Sequence, residues 1–246
     1  MSLHFEPPVV PLAALLPTLQ ADGHACLAPA AVELWCGQSL ANLAALQPSW
    51  EQLPSDKHLK DGGRYRRRRH SSYVVTGTQV QQVPHRAHWQ PLSYNALHGG
   101  MERWFEPVDP AVSASPAWQQ LLVGTSQVAS DLRGVQPWFV EAHQFRIDTT
   151  NGIGRPTPEG AHRDGVDLVA VFMVGRHHIK GGESRVFAAD GPQGQRFTLT
   201  QPWSLLLLDD ARVIHETTPI QPAIPDQTGW RDTLVLTCRA GGFQDA

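Results

Sequence analysis

His162 and Asp164 stand two residues apart. On extended backbone alternate residues point to the same face, so an imidazole and a carboxylate at this spacing can share one small target. A metal ion suits this pair best. A second histidine from a distant strand, His215, would complete a 2-His-1-carboxylate facial triad, the donor set that holds non-haem Fe(II) by adjacent positions and leaves the others open. Arg163, lying between the two ligands, then points the other way. Arg231 and Thr233 repeat the two-residue spacing, and an arginine beside a hydroxyl could grip the far carboxylate of a dicarboxylic co-substrate whose near end chelates the metal. A surface ion pair with Asp232 is the competing use of Arg231.

A second concentration of charge lies within Asp61–Tyr73, where Arg64, Arg66, Arg67, Arg68 and Arg69 crowd into six residues. Blocks of like charge are commonly solvated surface. The alternative is a guanidinium cluster at the mouth of a site that takes a carboxylate, with Arg64, Arg66 and Arg68 facing it together if the run is extended. A nucleic-acid surface fits less well, because aromatic interleaving is sparse and the formal net charge is −3. Tyr94–Phe105 is a turn-rich piece that mixes polar and aromatic groups, and it makes Tyr94 a further candidate for ligand contact. In the aromatic and β-branched segment Trp138–Ile147, one face carries Val140, Ala142, Gln144 and Arg146. The other carries Phe139, Glu141, His143, Phe145 and Ile147. Gln144 and Arg146 are the candidates here for facing substrate or co-substrate, with His143 expected to be packed away or at the surface.

These residues need a scaffold that brings 162, 164, 215 and 231 together. Leu12, Leu15, Leu16 and Leu19 predict a first helix ending near Gly23, and a second helical pattern runs from about Ser39 to Leu46. Ser115-Pro116 reads as an N-cap followed by proline at the first helical position, opening the longest helix. After Gly134 strands take over: Trp138–Ile147, Val166–Val174, Arg185–Ala188, Arg196–Leu199, Trp203–Leu208, Arg212–His215 and Thr233–Cys238. Short strands with turn signals between them predict a mainly β fold with α, a jelly roll carrying a helical N-terminal layer. No internal repeat or linker divides the chain, so residues 1–246 are expected to form a single domain, with the helical layer over about 8–50 and the jelly-roll core over about 135–240.

Composition narrows the function classes. A pI near 6.4 gives no general reason to expect nucleic acid or an anionic membrane as partner. Met1–Pro8 lacks a basic start followed by an apolar core, and no apolar run approaches membrane-spanning length. Cys26, Cys36 and Cys238 are too few for a disulfide framework, which suits a reduced, cytoplasmic location. No Gly-x-Ser-x-Gly elbow or phosphate-cradling glycine loop is present.

His162-Arg163-Asp164-Gly165, Gly181-Gly182-Glu183, Pro202–Leu208, His215–Ile220 and Arg231-Asp232-Thr233 resemble the ordered blocks of Fe(II)/2-oxoglutarate-dependent dioxygenases. The chain is similar to the bacterial branch that includes isoleucine-4-hydroxylase-like enzymes acting on free aliphatic amino acids, together with biofilm-associated homologues. The resemblance covers roughly Arg64 to Arg239. It implies a double-stranded β-helix with His162, Asp164 and His215 as iron ligands. Arg231 would bind the 2-oxoglutarate C5 carboxylate, and Thr233 stands where the family pattern often has serine. Fe(II), 2-oxoglutarate and O2 are the implied cofactor and co-substrates. The implied reaction hydroxylates an aliphatic carbon of a small free amino acid and releases succinate and CO2. The alternative is a non-catalytic or regulatory biofilm-associated member of the same fold that binds metal and a small carboxylate ligand.

Overall fold

A computed structural model describes residues 5–95 and 97–245, and expectations that touch Met1–His4, Ala96 and Ala246 lie outside the described residues. The helices are α1 (Leu15–Asp22), α2 (Pro29–Cys36), α3 (Leu40–Ala44), α4 (Pro110–Ser113) and α5 (Pro116–Arg133), with a 3-10 segment at Gln47–Gln52. The early strands are β1 (His24–Leu27), β2 (Arg66–Thr76), β3 (Gln79–Gln82), β4 (Trp138–Asp148) and β5 (Leu168–His177). Next come β6 (Ile179–Gly181), β7 (Ser184–Ala188), β8 (Gly194–Phe197) and β9 (Leu205–Asp209). The last are β10 (Val213–Thr217), β11 (Ile220–Pro222) and β12 (Trp230–Arg239).

Seven strands form one antiparallel sheet in the order β1-β9-β5-β12-β4-β2-β3. A three-stranded sheet, β10-β7-β8, and the pair β11-β6 complete the set. This is the jelly-roll arrangement expected from the strand spacing, without a closed barrel.

The large sheet has two buried faces with different tasks. Under the helices, Tyr73 and Val75 of β2, Val140 and Ala142 of β4, Ala170 and Phe172 of β5, and Leu234 and Leu236 of β12 pack with Trp118, Leu121 and Leu122 of α5. Each such leucine, removed from water, contributes about 1.5–3 kcal/mol. The N-terminus of α5 forms as its sequence predicts: Ser115 Oγ accepts a hydrogen bond from the Trp118 N–H at 3.3 Å, with Pro116 in the first turn. On the other face Val169, Met173, Leu206 and Leu208 meet Val186 and Val213 of the small sheet. Beyond them this face is polar and lines a cavity.

β1, α2 and β3 have no counterpart among the expected elements. β1 is four residues, all buried, which leaves no alternation to detect. β2 is the principal gain. Its eleven residues include most of the arginine run, which is therefore extended from Arg66 onward. No described helix is long and apolar enough to cross a membrane, and the three cysteines are buried and unpaired.

Candidate functional site

His162 and His215 are held by each other's backbone. The His162 N–H donates to the His215 carbonyl at 3.0 Å and the reciprocal bond is 2.9 Å, which places the ring centroids 4.6 Å apart. His215 belongs to β10, whereas His162 and Asp164 lie in the loop ahead of β5, where His162 forms an isolated bridge to His215. The loop is pinned by Asp210. Its carboxylate accepts from the backbone N–H groups of Asp164 (3.0 Å), Gly165 (2.7 Å) and Val166 (3.1 Å). Arg163 turns away and donates to the Asp210 carbonyl, leaving its neighbours to face the cavity. Gly165 has φ +76°, and a Cβ there would strike the Tyr94 ring, so the residue after Asp164 is glycine on two counts.

The Asp164 carboxylate spans the two imidazoles: Oδ1 lies 3.7 Å from His162 Nε2 and Oδ2 lies 3.7 Å from His215 Nε2. Three donors of these types, each within 4.8 Å of the others, can converge on one ion. His162 Nδ1 donates to the Gly160 carbonyl at 2.9 Å, which fixes the ring and directs Nε2 inward. Burial opposes a charge on His162, but hydrogen bonding and attraction from Asp164 outweigh it and lift the pKa to about 10. Burial, then the charge of His162, pushes His215 down to about 4. The same histidines hold Asp164 well below the usual carboxylate range, against its burial. Negative charge concentrated between two imidazoles is what a cation would find here. Glu159, which no sequence pattern singled out, adds a carboxylate oxygen 3.7 Å from His162 Nε2.

Arg231 is 3% exposed and lines the same cavity with Thr233. It forms no ion pair with Asp232. That carboxylate lies on the opposite face of β12 and binds Arg146 at 2.7 and 2.8 Å. Among the described residues Arg231 Nε is buried without a partner, and burial together with the nearby Arg176 charge pushes the guanidinium pKa down to about 10. A buried cation of this kind suits a carboxylate brought in from outside. Gly181 and Gly182 (φ +76° and +70°) carry the chain over this end of the cavity, where a Cβ on Gly182 would press on Ile220 and approach Arg231.

The other half of the cavity belongs to β2 and β4. Arg66 and Arg68 line it, while Arg67 and Arg69 point outward and Arg64 is exposed ahead of the strand. Arg66 is already engaged with Asp56 at 2.6 Å. Gln144 and Arg146 do not face this cavity, contrary to expectation. Gln144 donates to Ser49 Oγ and Arg146 to Glu51, both in the 3-10 segment on the helical side. Alternation separates the two faces of β4 but does not say which is inward, and Val140 and Ala142 take their face into the helical core. The cavity face therefore carries Glu141, His143, Phe145 and Ile147. Tyr94 is also outside it, packed against Gly165.

β2–β4 pairing sets His70 opposite His143 and Ser72 opposite Glu141. With His88 they form a second group of imidazoles and a carboxylate, fully buried. Glu141 Oε1 accepts from His70 Nε2 (3.0 Å), His88 Nδ1 (3.2 Å) and Arg86 (3.4 Å). Burial pushes His88 down to about 4, and Glu141 stays ionised because these donors outweigh its burial. Gln90 joins the two halves. Its amide donates to Asp164 Oδ1 at 3.2 Å, and its oxygen accepts from Asn95 and Arg103.

The model of the 2OG-Fe dioxygenase family matches residues 47–237. No curated protein matches the chain in sequence. Among solved structures it is similar to a bsmA homologue from Methylobium petroleophilum PM1, with TM-score 0.92 and 53% identity over 98% of each chain. It also resembles IDO from Bacillus thuringiensis (TM-score 0.75, 16% identity, 95% of this chain and 100% of that one). A third is the Fe(II)/α-ketoglutarate-dependent dioxygenase TqaL (TM-score 0.71, 21% identity, 95% and 90%). The latter two likenesses are of fold.

Proposed function

The chain belongs to the 2OG-Fe dioxygenase family, and we propose that it hydroxylates an aliphatic carbon of a small free amino acid. Members of the family use Fe(II), 2-oxoglutarate and O2. The observation that carries the proposal is one cavity holding His162, Asp164 and His215 beside two buried arginines, Arg231 and Arg68, neither of which has a carboxylate partner among the described residues. Two separate guanidinium groups suit two separate carboxylates, one of the co-substrate and one of the substrate.

His162, Asp164 and His215 would hold the iron and Arg231 with Thr233 the far carboxylate of 2-oxoglutarate. When bound, iron and co-substrate supply the oxidation that splits 2-oxoglutarate and O2 into succinate and CO2 and places the remaining oxygen atom in a substrate C–H bond. The chain's own work is positioning. Asp210 fixes the Asp164 loop, Gly160 fixes the His162 tautomer, and Val169, Val171 and Val235 give an aliphatic chain a dry wall on the way to the metal.

Screening the free L-amino acids for succinate formation with Fe(II), 2-oxoglutarate and ascorbate tests this. At least one should stimulate turnover well above the substrate-free rate, and stimulation by none would sink the proposal. A protein that only bound metal and carboxylate would show binding with no such stimulation.

A further inference from the structure

We infer that Arg68 and Glu141 form a two-point clamp for the carboxylate and the ammonium of an α-amino acid, a subsite at the β2–β4 end of the cavity. This rests on the proposed function and specifies where the substrate's head is held.

Arg68 is the first half. Its side chain is 2% exposed and sandwiched, with the guanidinium carbon 3.8 Å from the centre of the Phe105 ring and 4.4 Å from that of Phe145. Among the described residues its one hydrogen bond runs to His143 Nδ1 at 2.7 Å, and Nε has no partner. Arginine keeps its proton even when buried, so this is a fixed cation with no counter-charge in contact among the described residues. Aromatic faces stabilise it only in part. A planar fork held between two rings is preorganised for a carboxylate.

Glu141 is the second half. All its donors, His70, His88 and Arg86, converge on Oε1, and none reaches Oε2 among the described residues. The second oxygen of a buried, ionised carboxylate in a cavity wall calls for a donor. His143 separates the halves. It touches Arg68 directly, and its ring centroid lies 4.7 Å from those of both His70 and His88, the donors to Glu141. Arg68 and Glu141 therefore line one cavity wall without pairing with each other, and a ligand carrying both charges can engage the two where neither reaches the other.

The same four residues carry metal-ligand atoms, but their surroundings disfavour an ion. Arg68 already donates into His143 and Arg86 into Glu141, so a dication would sit against two guanidinium groups. Opposite charges at fixed points favour a zwitterion over a dicarboxylate or an amine, each of which would leave one point unmatched.

Anaerobic calorimetry on the metal- and 2-oxoglutarate-loaded protein tests the clamp. The probes are the protein L-amino acids; the tightest binder is then compared with its des-amino acid and its decarboxylated amine. The amino acid should bind about a hundredfold tighter than either analogue. Glu141→Gln should bring the amino acid down to its des-amino analogue, and Arg68→Gln down to the amine. Glu141→Asp, which keeps the charge, should recover part of the preference. Quenching of tryptophan fluorescence by 2-oxoglutarate, unchanged within twofold, serves to show that each variant is folded. Amino-acid binding with the same preference in Glu141→Gln as in the parent would overturn the clamp and leave the proposed function standing. Des-amino acids that bind and stimulate succinate release as well as amino acids would overturn both.

Discussion

Two groups of imidazoles with a carboxylate face one cavity, and they differ in what surrounds them. In His162, Asp164 and His215 the carboxylate lies 3.7 Å from each Nε2, and the neighbouring charge is the further carboxylate of Glu159. In the second group His70 Nε2, His88 Nδ1, His143 Nδ1 and Glu141 Oε1 are already hydrogen-bonded, and guanidinium groups of Arg68 and Arg86 press on them. Residue types alone would nominate both as metal sites. Local charge separates them: carboxylates surround the first group, which suits a cation, whereas guanidinium groups beside the second disfavour one.

The largest expected effect breaks the first group. His162→Ala should lower substrate-stimulated succinate formation by at least about a thousandfold, since the proposed facial triad would lose an iron donor, and steady-state assays would show it. Arg231→Ala comes next. Losing a charge-assisted contact of about 1.5–3 kcal/mol should raise the KM for 2-oxoglutarate roughly 10- to 150-fold. The amino acid's KM should change far less, and an equal rise in both would remove the division of the cavity into two halves.

Protonation sharpens the contrast. His88 has a pKa of about 4 in the folded protein against an ordinary value of 6.5, so between these values the unfolded chain takes up a proton that the folded protein refuses. Its contribution to stability is full above about pH 6.5 and is lost as the pH falls toward 4. Urea midpoints of the metal-free protein at pH 7 and pH 5 should show a loss that is smaller in His88→Gln by on the order of 2 kcal/mol. The smallest effect falls on the link between the groups. Gln90→Ala removes a donor to Asp164 and leaves Arg103 and Asn95 short of an acceptor. A kcat/KM several-fold lower is expected, with metal still bound; an unchanged kcat/KM would make Gln90 a bystander.

Sequence spacing exposed the parts of the site that lie close along the chain. His162-x-Asp164 and Arg231-x-Thr233 are each two residues apart, and the structure places both pairs, with His215, on one cavity. The strand that follows the first pair and the strand that carries the second were readable, β5 from its apolar run and β12 from its alternation about Leu234 and Leu236. What escaped depended on pairing across long separations. Glu141 meets His70 and His88 because β2 and a loop come to lie beside β4, and no local period records that. The inward face of β4 was misjudged for a related reason. Gln144 and Arg146 are polar, but they serve the 3-10 segment, and only the helices packed on Val140 and Ala142 decide which way the strand faces. Asp210 escaped as well, since its partners are backbone N–H groups whose position no side-chain pattern reveals. Arg64, Arg66 and Arg68 were grouped as one alternating set, yet β2 begins at Arg66 and leaves Arg64 in solvent.

The division between the two groups is tested most directly by counting ions. Anaerobic titration of the apoprotein with Fe(II) in the presence of 2-oxoglutarate, followed by elemental analysis after desalting, should give one ion per chain. That ion should be lost in His215→Ala and retained in His143→Ala. A second ion that disappears in His143→Ala, or full retention in His215→Ala, would contradict the assignment.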